Sequence, residues 1–134
     1  MTKLSKIEGI GDIYAEKLKG AGIASIENLL DVCCEKKGRK KIGAKVNVSE
    51  KLILGWVNRA DLTRINGVST QYADLLEYTG VDTVPELAQR KPENLHEKIA
   101  QVNEEKKLVR KIPALSQIQD WVAQAKKLPR IIYH

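Results

Sequence analysis

With 134 residues, 43% of them hydrophobic, the chain can build one ordinary domain or two small ones around a true apolar core, which excludes wholesale disorder. It has no Phe, so aliphatic side chains must fill most of that core. Lys and Arg number 23 against 17 Asp and Glu; the net charge of +6 permits contact with phosphate backbones or acidic proteins and says nothing of the fold.

Taken in order, the chain opens on Gly9-Ile10-Gly11 and an apolar series at Ile10, Tyr14, Leu18 and Ala21, one face of a helix that Gly22 ends. Ser25 is placed to cap a second helix with Ile26, Leu29, Leu30 and Cys33 inward. Gly38 reads as an interruption, followed by a basic helix from about Arg39 to Val46. Ser49 opens a helix carrying Leu52, Ile53, Trp56, Val57 and Ala60. The plan then recurs. Ser69 starts a helix with Tyr72, Leu75, Leu76 and Thr79, closed by Gly80. Thr83-Val84-Pro85-Glu86 has the form of a capping box. Pro92 begins a helix with Leu95, Ile99 and Val102, and after Pro113 comes a stripe of Leu115, Ile118, Trp121 and Val122. No stretch alternates with period two, so no sheet is expected.

The recurrence is a duplication. At an offset of 58, Ile7-Glu8-Gly9-Ile10-Gly11 lies over Ile65-Asn66-Gly67-Val68-Ser69, Tyr14-Ala15 over Tyr72-Ala73, and Gly22-Ile23 over Gly80-Val81. Later the offset is 65, with Trp56-Val57 over Trp121-Val122, so the second unit holds seven extra residues between Leu87 and Ile118. The tag Leu4-Ser5-Lys6-Ile7 returns as Leu62-Thr63-Arg64-Ile65 and again as Leu128-Pro129-Arg130-Ile131. A boundary near Asp61-Leu62, with no Gly/Ser-rich or Pro-rich linker, gives units 1–61 and 62–134 that are expected to pack together.

A Gly-x-Gly turn ahead of a helix can aim bare amides at an anion, glycine allowing positive φ and close approach. Gly9 and Gly11 fit that geometry with Ile10 as the apolar anchor, and Gly67 is the second unit's equivalent. The pattern Ile-x-Gly-Ile-Gly-x-x-x-Ala-x-x-Leu-x-x-Ala-Gly-Ile from Ile7 to Ile23 resembles the helix-hairpin-helix motif of DNA repair, recombination and ligase proteins. Nearly the whole chain is similar to an uncharacterised bacterial and archaeal family of tandem helix-hairpin-helix proteins, notably across Glu50 to Leu62 and Pro92 to Lys98. The first resemblance implies sequence-independent gripping of the DNA backbone; the second brings no assigned activity. Together they imply an all-α fold of two tandem five-helix helix-hairpin-helix (SAM-like) units. DNA-binding members usually carry Lys or Arg two residues after the second glycine. Here that position is Ile13, beside Asp12, and in the second unit Gln71 follows Ser69. Asp12 could itself cap the helix, and both turns could be simple tight bends with a buried Ile or Val.

Lys36, Lys37, Arg39, Lys40, Lys41 and Lys45 crowd into ten residues without an acid, a candidate phosphate-binding patch; the alternative is a solvated helix face. No aromatic is interleaved to stack on bases. A helix-turn-helix from Arg39 to Trp56 would spend its reading helix on the core. Trp56 and Trp121 are read as core anchors. Cys33 and Cys34 are neighbours, unsuited to a structural disulfide and fitting a reducing compartment; one is expected to face the core. No catalytic set, Walker-type loop, metal site or cofactor can be assembled. The apolar runs are too short to span a bilayer and the N-terminus lacks a signal-peptide apolar region, so a cytoplasmic protein is expected. The sequence points to a non-catalytic binding module with nucleic acid as its partner. The alternative is a protein–protein interaction scaffold with no nucleic-acid role.

Overall fold

The computed structural model describes residues 3–7 and 9–133, and every regular element among them is helical. A 3-10 turn at Leu4–Lys6 precedes α1 (Asp12–Gly20), α2 (Ile26–Cys33), α3 (Lys36–Val46), α4 (Glu50–Leu62), α5 (Thr70–Tyr78), α6 (Val84–Ala88), α7 (Pro92–Lys106) and α8 (Leu115–Lys127). The chain divides into two compact units. One runs to Asp61 and takes in the chain again from Ile131; the other is Leu62–Arg130. The units draw on four α-helices each, against the five expected, and the first adds the 3-10 turn.

Local chemistry sets most helix ends. Ser25 Oγ accepts the Asn28 N–H at 3.1 Å, Ser49 Oγ that of Leu52 at 3.1 Å, and Thr83 Oγ1 that of Glu86 at 3.4 Å. Each hydroxyl thus satisfies an orphan amide in a first turn. α1 and α5 close in the same way. Ile23 N–H donates to Leu18 O at 2.8 Å and Gly22 N–H to Lys19 O at 3.0 Å; Val81 and Gly80 repeat this on Leu76 and Glu77 at 2.9 and 3.0 Å. This is the Schellman closure, with Ile23 and Leu18, or Val81 and Leu76, fully buried around it.

Each unit has its own core. In the first, Leu18, Ile23, Leu29, Ile53, Trp56 and Val57 are sealed from solvent; in the second, Leu76, Val81, Leu87, Ile99, Ile118 and Trp121 take their place. The tryptophans anchor both in matching fashion. Tyr14 meets Trp56 with ring centroids 5.3 Å apart and planes at 55°, and Tyr72 meets Trp121 at 5.4 Å and 54°. Tilted pairs of this kind suit the ring quadrupoles and add to the burial of the rings.

Three points of the fold correct or sharpen these expectations. Gly38 does not interrupt the chain: α3 begins at Lys36 and contains it. A Cβ on Gly38 would stand 1.9 Å from Val32 O, so the residue is dictated by how closely α3 crosses α2. Leu52 faces outward, 38% exposed, since the inner stripe of α4 is Ile53, Trp56, Val57 and Ala60. The segment 131–133 belongs to the first unit and not the second. Ile132 is buried in the first core, and Tyr133 N–H donates to Cys34 O at 2.8 Å.

The seven extra residues of the second unit are also located. α7 has 15 residues where α3 has 11, and α6 has 5 where α2 has 8. The loop after α7, 107–114, replaces the short link 47–49 that follows α3.

Candidate nucleic-acid interface

At the first glycine turn the backbone reverses over Trp56. Gly9 has φ +90°, and a Cβ there would stand 3.4 Å from Trp56 Nε1. Ile10 is 2% exposed and anchors the turn in the core, as expected. Gly11 is the N-cap of α1 and brings no side chain to cap it. Asp12 is the first helical residue and not the cap; its carboxylate suits the positive end of the helix dipole but opposes an incoming phosphate. Ile13 is 75% exposed. Glu8, which completes the turn's sequence, lies outside the described residues. Beneath the turn, the buried Trp56 Nε1 finds no acceptor among the described residues.

The second turn is more heavily tied down. Gly67 has φ +97°, and its Cβ would stand 2.9 Å from Trp121 Nε1. Ser69 Oγ accepts the Tyr72 N–H at 3.2 Å, which occupies one first-turn amide. Asn66 N–H donates to Gln124 Oε1 at 2.9 Å, and Gln124 Nε2 donates back to Asn66 O at 3.1 Å.

The basic run becomes α3, and its six cations part company. Arg39 is 3% exposed. Its Nη1 donates to Cys33 O at 3.0 Å and Cys34 O at 3.1 Å, and its Nη2 to Tyr133 O at 2.8 Å. It caps the carboxyl end of α2 and is not available to a phosphate, a correction to its place among the candidate residues. The helical period explains this: Arg39, Ile42, Gly43 and Val46 form the buried stripe. Lys36, Lys37, Lys40, Lys41 and Lys45 are exposed and share the opposite arc with Ala44. Lys36 and Lys37 occupy the first turn of α3, where the helix dipole disfavours cations; the acids nearby are the N-cap Glu35 and, beside Lys36, Glu50.

The turn and Lys45 do not meet at one mouth. Lys45 borders a shallow pocket of about 360 Å³ with Lys17, Gly20 and Ala21, at the carboxyl end of α1. Gly11 is at the other end of that helix, about 14 Å from Gly20 by helical rise. The structure instead brings Lys17 to Lys45, with the Lys17 ammonium 5.9 Å from the Tyr14 ring centroid. At the start of α3, Lys36 shares a depression with Lys51 and the acidic Glu50.

A second basic region was not anticipated. Lys107, Arg110 and Lys111 line an open groove of about 950 Å³ in the second unit, together with Ser69 and Gln71. Its signal in the sequence was the run Lys106-Lys107-Leu108-Val109-Arg110-Lys111 inside the seven-residue surplus.

Cys33 is fully buried and Cys34 partly exposed. Burial pushes the Cys33 thiol up to about 11; Arg39 opposes the rise and Cys34 adds to it. Among the described residues, no three His, Cys, Asp or Glu gather as a metal would require. No helix among the described residues is long and apolar enough to cross a membrane.

Comparison with curated proteins and with solved structures gave no significant match. The sequence pattern of one family matches residues 8–128, both units and nearly the whole chain. The chain belongs to that family, described as a domain of unknown function (DUF4332).

Proposed function

We propose that the chain is a non-catalytic module that grips nucleic-acid backbones without reading their sequence, chiefly through the lysine face of α3. The observation that carries this reading is the arc of Lys36, Lys37, Lys40, Lys41 and Lys45. All five are exposed on one helix, and Arg39, Ile42, Gly43 and Val46 hold its other side in the core. Clustering them costs mutual repulsion, and two oppose the helix dipole; a polyanion relieves both and gains from counterion release. α4 is not free to read bases, since its Ile53, Trp56 and Val57 are all buried. The glycine turn at Gly9–Gly11 would add a phosphate contact of its own at the uncapped start of α1. In this reading each unit is a helix-hairpin-helix bundle of the SAM-like kind, with the Leu4–Lys6 turn as the fifth helix of the first, and the protein works in the cytoplasm. The test is fluorescence anisotropy with a labelled duplex. Lys40→Glu with Lys41→Glu should weaken binding by about tenfold or more at low salt and flatten the salt dependence. Unchanged binding would end the proposal.

A second reading, a protein–protein adaptor, is favoured by Ile13, a large apolar side chain 75% exposed beside Asp12 at the first turn. It predicts a consistent protein partner after nuclease treatment, lost in Ile13→Asp.

A further inference from the structure

We infer that the second unit carries a separate groove for the phosphates of a nucleic-acid strand, built by residues that the first unit lacks. The groove lies beside α5 and α7 and the loop that follows α7. Lys107, Arg110 and Lys111 supply three cations to it, against one carboxylate from Glu104. All three are exposed. The start of α5 lies alongside, so the positive end of a helix dipole adds to the field. At the equivalent place the first unit has only Asn47, Val48 and Ser49.

The loop is held in place. Asn103 Nδ2 donates to Val109 O at 3.0 Å, while Asn103 Oδ1 accepts the Val109 N–H at 3.0 Å. Tyr72 Oη donates to Lys111 O at 3.1 Å, which ties the loop to α5. Lys107 adopts the left-handed conformation, φ +55°, at the end of α7. A backbone fixed at these points leaves only the side chains of its cations to be ordered on binding. The groove is open and far larger than one phosphate, so it suits a run of anions along a strand. An acidic peptide is a poorer occupant. Leu108, Val109 and Ile112 also line the groove, but they are half-buried against the core, and three cations against one carboxylate favour a string of phosphates over an anchored peptide side chain.

The groove shares no residue with the α3 face, so the two stand or fall separately. The probe is a fluorescein-labelled oligodeoxythymidine of about 20 nucleotides, longer than an ordinary single-strand site. The full chain is used throughout. Arg110→Glu with Lys111→Glu should weaken binding by about tenfold and reduce the slope of log affinity on log salt by about 1.4, the share of two phosphates on a single strand. Arg110→Gln with Lys111→Gln should fall in between. In the Lys40→Glu, Lys41→Glu variant, titration with the oligonucleotide should still shift the backbone amide NMR signals of residues 69–72 and 107–112. Unshifted amides there in the unaltered protein, or wild-type affinity in the Arg110→Glu, Lys111→Glu variant, would overturn the assignment. So would a polyglutamate peptide that displaces the oligonucleotide as well as unlabelled oligodeoxythymidine does.

Discussion

Arg39 sits amid a run of lysines, yet its removal should unfold where theirs would not. Three hydrogen bonds of 2.8–3.1 Å join its guanidinium to the carbonyls of Cys33, Cys34 and Tyr133. Each bond from a charged donor is worth roughly 1.5–3 kcal/mol, and the buried Cys33 carbonyl would lose this partner while shielded from water, whereas the Cys34 carbonyl keeps the Tyr133 N–H. Truncation also empties space under α3 where the Arg39 stem packs. Because such losses are not additive, Arg39→Ala should cost about 3–4 kcal/mol, a large share of a small domain's stability. Arg39→Lys keeps the charge but offers one ammonium where a planar fork bridged two helix-end carbonyls and the returning tail; it should cost about 1–2 kcal/mol. Urea unfolding followed by tryptophan fluorescence measures both, with Lys40→Ala and Lys41→Ala as neutral comparisons, within about 0.5 kcal/mol of wild type. A loss below about 1 kcal/mol in Arg39→Ala would refute this account of why the residue is buried.

Three further results are expected. Gly38→Ala should gain about 1 kcal/mol in helix propensity, yet the new Cβ falls 1.9 Å from Val32 O; the backbone clash should win, with net destabilisation of about 3 kcal/mol in the same urea assay. Lys107→Gly relieves a left-handed residue whose side chain is exposed and should stabilise the chain by about 1 kcal/mol, read as a higher urea midpoint. The Cys33 thiol is held near 11 against an ordinary 9.0, so it is protonated in both states below pH 9 and its contribution is then complete. As pH rises from 9 to 11 the unfolded chain ionises first, and unfolding should become easier by about 3 kcal/mol in all, a slope that Cys33→Ala removes.

What the sequence disclosed follows from how far the deciding interactions reach. The glycine turns, the Ser and Thr caps and the Schellman ends are settled within a few residues, and the duplication printed the turns, the Ser25 and Thr83 caps and the Schellman ends twice. The inward Ile10, Trp56 and Trp121 followed from apolar spacing. Gly38 misled because a lone glycine reads as a breaker, while its cause is the carbonyl of Val32 on another helix. Arg39 could have been found: it stands on the same stripe as Ile42, Gly43 and Val46, and a cation at an inward position needs acceptors. The return of Ile132 and Tyr133 to the first unit could not, since nothing local announces a contact 94 residues away. The groove cations were overlooked because Lys107, Arg110 and Lys111 are spread through an apolar loop. Only the fold of that loop around Asn103 gathers them.

The central claim is a charge-driven, sequence-blind grip on nucleic acid, and the salt dependence of duplex affinity tests it most directly. With three or four lysines of α3 each neutralising a phosphate, log affinity should fall with log salt at a slope of about −3, alike for duplexes of unrelated sequence. A flat salt dependence, or affinity that changes strongly with base sequence, would contradict it.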